Sequence, residues 1–148
     1  MLQFDSHRAR VLVVDDDPLV LDIVTTRLSL AGCTTYSARD GLAAIERLRD
    51  IRPTAMVLDI NMPGLDGFGV LKHMKATGVI QSIATLVLTA RNRPEDVKLA
   101  VTLGARDYLS KPFKDEQLLI RMARLLRNRA PNPMGPSASI RMPPSPLR

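Results

Sequence analysis

Tryptophan is absent, and three phenylalanines and two tyrosines bring the aromatic share of the 148 residues to only 3%. That scarcity leaves no row of rings on which nucleic-acid bases would stack, although the formal net charge of +6 would suit a polyanion. The lysines and arginines are scattered along the chain, so direct nucleic-acid binding is not expected. The single cysteine, Cys33, excludes an internal disulfide and has no partner at metal-ligand spacing. It reads as a small apolar residue at the start of a strand. No apolar run approaches the roughly 18 residues that would span a bilayer. The first residues also lack the pattern of a secretory leader. A cytoplasmic protein with no membrane segment is the expectation.

What is present is one domain's worth of chain, 45% hydrophobic, with a regular alternation of short apolar runs and longer segments of helical period. The runs are Val11 to Val14, Thr34 to Ser37, Met56 to Leu58, Thr85 to Leu88 and Tyr108 to Leu109. The helical segments between and after them are Leu19 to Leu30, Leu42 to Leu48, Phe68 to Met74, Val97 to Leu103 and Leu118 to Leu126. The runs at Val11, Met56 and Thr85 do not alternate polar with apolar, as expected of parallel strands covered on both faces. The expected fold is therefore α/β: a doubly wound, five-stranded parallel sheet with five helices, and if its order is 2-1-3-4-5 the strands that deliver polar residues are neighbours, with the topological switch point between the first and third.

Asp17 before Pro18, Asp66 before Gly67, and Pro94 followed by Glu95 and Asp96 mark helix starts. Gly32 and Gly104 mark two helix ends, as left-handed caps. From Ala130 onward six prolines lie among Ser, Asn and Gly with no acidic residue. Residues 1–8 are thus expected to be an N-terminal extension, 9–129 the folded domain, and 130–148 a Pro-rich tail or linker.

In an open α/β sheet the site lies at the carboxyl ends of the strands. Here the first strand delivers Asp15, Asp16 and Asp17, the third Asp59, the fourth Thr89 and the fifth Lys111. Carboxylates gathered in one crevice repel by roughly 3 kcal/mol per pair at about 5 Å and an effective dielectric of about 20, so they need a counter-charge. Oxygen-only ligands without His or Cys favour a hard cation with room for water, Mg²⁺, with Mn²⁺ as the alternative. Asp16 and Asp59 are read as direct ligands, Asp15 as acting through a metal-bound water, and the Asn61 backbone carbonyl as completing the set. Asp17 is read as a helix cap only. His73 is read as a surface histidine, and Arg121, Arg124 and Arg127 as a solvated helix face.

The segments VLVVDDDP, MVLDINMPGLDGF, LVLTA and DYLSKPF, in that order and spacing, resemble the receiver domains of two-component response regulators. The resemblance covers about residues 9 to 129 and implies the flavodoxin-like receiver fold. It implies that Asp59 is the phospho-acceptor, Asp15 and Asp16 the acidic pair, Thr89 the switch hydroxyl, Lys111 the phosphate-binding lysine, and Tyr108 the switch aromatic. A cis bond before Pro112, aiming Lys111 inward, is implied as well. So are a sensor histidine kinase or histidine phosphotransferase as donor, and a downstream protein or output domain on the face of the fourth helix, fifth strand and fifth helix. Asn61 and Arg91 are expected to flank the path of the water that ends the phosphorylated state. On this reading the protein is a signalling receiver that promotes only its own phosphorylation and dephosphorylation.

Two alternatives stand beside it. Phosphohydrolases of the haloacid-dehalogenase type also combine a strand-end aspartate, Mg²⁺ and a lysine, but they carry a second acid where this chain has Asn61, which cannot ionise. The chain is otherwise the receiver part of a longer regulator with a DNA-binding or enzymatic output beyond residue 148, since no helix-turn-helix segment remains after Leu126. A stand-alone receiver is slightly preferred. Arg106 occupies a position where the winged-helix branch would carry an acid, so a monomer or weak homodimer is expected.

Overall fold

The computed structural model describes residues 9–127; the expected N-terminal extension with His7, and the expected tail, lie outside the described residues. Strands and helices alternate as β1 (Arg10–Val14), α1 (Pro18–Leu30), β2 (Thr34–Ala38), α2 (Gly41–Ile51) and β3 (Ala55–Leu58). They continue as α3 (Gly67–Thr77), a 3₁₀ turn (Val79–Gln81), β4 (Ala84–Thr89), α4 (Pro94–Thr102), β5 (Asp107–Ser110) and α5 (Asp115–Arg127). All five strands pair in parallel in the order β2-β1-β3-β4-β5. Both the strand count and the order agree with the sequence reading.

Alternate strand residues feed two cores because successive side chains leave opposite faces of a strand. Leu12, Val14, Met56, Leu58 and Val87 pack with Leu48, Leu71, Met74 and Ala100 of α2, α3 and α4. Val11, Val13, Val57, Leu86 and Leu88 pack with Val24, Leu28, Leu118 and Met122 of α1 and α5. Strands β3 and β4 are buried over their whole length, as covering on both faces demands. Cys33 is buried just before β2, where burial pushes its thiol up to about 11 and keeps the reactive thiolate scarce.

Side chains cap three helices: Asp17 accepts from the Leu19 amide at 2.9 Å, Asp40 from Ala43 at 2.8 Å, and Asp66 from Gly69 at 2.9 Å. Gly32 and Gly104 take the left-handed conformation just past α1 and α4, as their positions suggested. The Asp40 cap and the left-handed Arg52 after α2 were not anticipated. Arg52 carries φ 51 without being glycine, and its carbonyl is held by the Arg10 guanidinium at 2.6 Å. Replacing Asp17 by Ala is expected to cost about 1 kcal/mol, the usual worth of such a cap. Thermal unfolding would register that as a fall of roughly 4 °C.

Candidate functional site

Three polar residues at the crevice are held one step beyond a strand by backbone hydrogen bonds that prolong the sheet, and Thr89 ends β4 itself. The Asp15 amide donates to Ala38 at 3.2 Å, the Asp59 amide to Val14 at 3.0 Å, and the Lys111 amide to Thr89 at 2.9 Å. These bonds set Asp15, Asp59 and Lys111 side by side above β1, β3 and β5. The Lys111–Pro112 peptide is cis, as the resemblance implied.

One carboxylate oxygen from each of Asp15, Asp16 and Asp59 lies within 4.8 Å of the others. Asp15 and Asp59 are buried, whereas Asp16 is exposed at the mouth. Lys111 Nζ donates to Asp15 Oδ2 at 2.7 Å and to Asp59 Oδ2 at 3.4 Å. Three carboxylates against this one ammonium leave two formal negative charges uncompensated. An all-oxygen donor set with that residual charge fits a divalent hard cation. Burial pushes the Asp15 carboxyl up, with Lys111 and the Asp17 amide pulling the other way and Asp59 adding to the rise. Burial works against the Lys111 ammonium too, but the Asp15 and Asp59 carboxylates outweigh it, and lysine stays charged with a pKa above its usual range.

Asn61 sits beside the phospho-acceptor candidate, its backbone N–H donating to Asp59 Oδ1 at 3.3 Å. Thr89 is fully buried, and its Oγ1 accepts from the Arg91 amide at 3.3 Å. Tyr108 is half-buried and its hydroxyl donates to the Arg91 carbonyl. Burial, then the Asp96 carboxylate, push that phenol up, so it remains a donor. The fold thus gathers Asp15, Asp16, Asp59, Asn61, Thr89, Lys111 and Tyr108 at one end of the sheet. Asp17 points its carboxylate into the first turn of α1, in keeping with a cap.

Several contacts were not legible in the sequence. Arg91, besides reaching the Oδ1 of Asn61, the residue it is expected to stand beside, at 3.4 Å, pairs with buried Asp96 at 3.0 Å. Asp96 looked like an ordinary acid in a helix's first turn, and no spacing rule ties it to Arg91. Arg121, read as part of a solvated face, instead donates to Asp107 at 2.6 Å and to the Tyr108 carbonyl at 3.3 Å, fastening α5 to β5. Arg124 and Arg127 are exposed as expected. His73 is also exposed, on a groove of about 530 Å³ lined by Arg49, Arg52 and Ile83 where β3 and β4 begin. That groove contains none of the crevice residues.

Comparison with known proteins agrees with this fold. The family described as the response regulator receiver domain matches residues 11–123. Response regulator MprA of Mycobacterium ulcerans is 45% identical over 118 residues, which are 80% of this chain and 50% of that protein. Response regulator MprA of Mycobacterium bovis is 41% identical over 132 residues, 89% of this chain and 56% of that protein. Among solved structures, the Vibrio cholerae chemotaxis protein CheY4 superposes with a TM-score of 0.75 at 32% identity, covering 79% of this chain and 98% of that one. The chain spans about half the length of the mycobacterial relatives it matches. The scarcity of aromatics therefore speaks for this chain's residues alone, and these longer relatives lend no support to the expectation against nucleic-acid contact. Among the described residues no helix is long and apolar enough to cross a membrane.

Proposed function

The chain belongs to the response-regulator receiver family, and on that footing we propose that it takes a phosphoryl group from a phosphohistidine donor onto Asp59 and relays the change to its α4-β5-α5 face. The donor is a sensor histidine kinase or a histidine phosphotransferase. The observation that carries the reading is Asp59, 5% exposed, with a carboxylate oxygen within 4.8 Å of those of Asp15 and Asp16 and its Oδ2 3.4 Å from the Lys111 ammonium.

Asp16 and Asp59 would hold Mg²⁺ directly, with Asp15 acting through a metal-bound water and the Asn61 backbone carbonyl completing the protein's share; Mn²⁺ suits the same oxygens. When bound, the ion supplies positive charge against the phosphoryl oxygens. An Asp59 carboxylate oxygen attacks phosphorus in line as the donor's P–N bond breaks, the electron pair leaving on the imidazole nitrogen. Lys111, already drawn inward by two carboxylates, offers a second positive point without reorganisation. Because Thr89 Oγ1 accepts from the Arg91 amide, its own proton is free to donate to a phosphoryl oxygen. Its movement opens space for the Tyr108 ring, and the balance of a two-state face shifts. The reader of that face is a downstream protein or an output domain, and the chain works as a monomer or weak homodimer.

Intact-mass spectrometry after incubation with acetyl phosphate tests this. One phosphoryl group is expected with Mg²⁺ and none with EDTA; no adduct even after rapid acid quench would overturn the reading. In parallel, Asp16→Ala is expected to weaken Mg²⁺ binding by about tenfold or more, since even outer partners of a metal are worth ~10–100-fold. A titration indistinguishable from wild type would remove Asp16 from the ligand set.

A further inference from the structure

The phosphoryl transfer above gives the Arg91 side chain no task, yet it joins three segments. Its Nε pairs with Asp96 Oδ1 at 3.0 Å in the first turn of α4. Its terminal nitrogen reaches Asn61 Oδ1 at 3.4 Å, and the guanidinium lies 5.4 Å from the centre of the Phe68 ring at the start of α3. Through its backbone the same residue holds Thr89 Oγ1 and the Tyr108 hydroxyl.

The ion pair is lopsided. The Asp96 side chain is 8% exposed, and its Oδ2 has no hydrogen-bond partner among the described residues. The Arg91 side chain is 42% exposed. A buried carboxylate with one bare oxygen depends on its cation, because removing one partner of a buried pair leaves an uncompensated charge. The half-exposed arginine, by contrast, loses little solvation by turning. Phosphorylation at Asp59 replaces one carboxylate charge with about two, whatever cation the crevice holds, so the site becomes more negative by about one unit. Arg91 stands next to Asn61, two residues from that change.

We infer that Arg91 is a phosphoryl-responsive lever, which neutralises buried Asp96 in the unphosphorylated protein and swings past Asn61 toward the phosphoryl group once Asp59 carries one. Asp96, left without its cation, drives the first turn of α4 outward toward water. The first turn of α4 is closed by the Asp96 and Val97 amides donating to the Arg93 carbonyl at 2.9 and 3.1 Å. Those two amides are the reporters. The lever rests on Asp59 being the phosphoryl acceptor.

The test is amide hydrogen exchange by NMR on the full chain, with and without acetyl phosphate and Mg²⁺, with the adduct monitored by mass. In wild type, phosphorylation is expected to speed exchange at Asp96 and Val97 by about tenfold, within the usual range of coupling between sites. Asp96→Asn, nearly isosteric and uncharged, should still be phosphorylated but lose most of that acceleration. Arg91→Gln should exchange fast at both amides even without phosphate, and Arg91→Lys, which keeps the charge, should return the slow unphosphorylated exchange. A phosphorylated Asp96→Asn protein with a wild-type acceleration would overturn the lever alone, even if Arg91→Gln folded poorly. No adduct on wild type would overturn the reading of Asp59, and the lever with it.

Discussion

Asp59→Asn is expected to lose phosphoryl uptake from acetyl phosphate by at least about a thousandfold, the scale on which removing a nucleophile acts. Mass spectrometry would register this as disappearance of the adduct. The amide nitrogen of asparagine has its lone pair delocalised and cannot replace the carboxylate oxygen as a nucleophile. The substitution also removes one of the three oxygens gathered within 4.8 Å. The fold should tolerate it. Lys111 keeps its 2.7 Å bond to Asp15, and the Asp59 charge that helps push the Asp15 carboxyl up is gone. An undiminished melting temperature beside a missing adduct separates chemistry from folding. An adduct retained on Asp59→Asn would move the acceptor to another carboxylate of the cluster.

Gly67→Ala is expected to damage both stability and the site, by a route that no side-chain contact reveals. Gly67 opens α3, and its amide donates to the Ile60 carbonyl at 2.9 Å. A Cβ placed there would lie 2.4 Å from the Asp59 carbonyl oxygen and 2.7 Å from the Ile60 Cα. Both are backbone atoms, so relief requires the loop behind Asp59 to move. Overpacking of this kind costs about 1–3 kcal/mol and sometimes more. Because the displaced atom belongs to Asp59 itself, phosphoryl uptake should slow by an order of magnitude or more, as small misplacements of reacting groups do, up to ~10²-fold. Gly64→Ala is the matched control. Gly64 has φ 76, but a methyl group on its Cα would meet nothing within 4 Å, so only left-handed backbone strain of about 1–2 kcal/mol applies. Equal phosphoryl-uptake rates for the two variants would refute the close-approach argument.

How far the sequence could be read differs from one contact to the next. Asp17 and Asp66 announced their helix starts because a cap acts on amides two or three residues away, and Pro94 because its fixed φ and missing N–H suit the first helical position. Asp40, equally local, caps α2 from just before Gly41 and carries a signal of the same kind. The left-handed Arg52 was not legible even locally, since glycine or asparagine is the residue that advertises that conformation, and here an arginine is held in it by Arg10 from β1.

The sequence by itself determined the β-α repeat, the two-sided burial of the central strands and the delivery of Asp15, Asp16, Asp59, Thr89 and Lys111 to the strand ends. Those features follow from side-chain periodicity and turn chemistry, which act over a few residues. Only the tertiary structure decided that Lys111 bonds Asp15 more closely than Asp59, at 2.7 against 3.4 Å, and that Arg91 neutralises Asp96. It alone turned Arg121 from solvent onto Asp107 and brought Gly67 against the Asp59 backbone. Lys111 and Asp15 stand 96 residues apart in the chain. Their separation in space is set by the twist and register of four strands and the packing on both faces, and no local pattern encodes a distance of that kind.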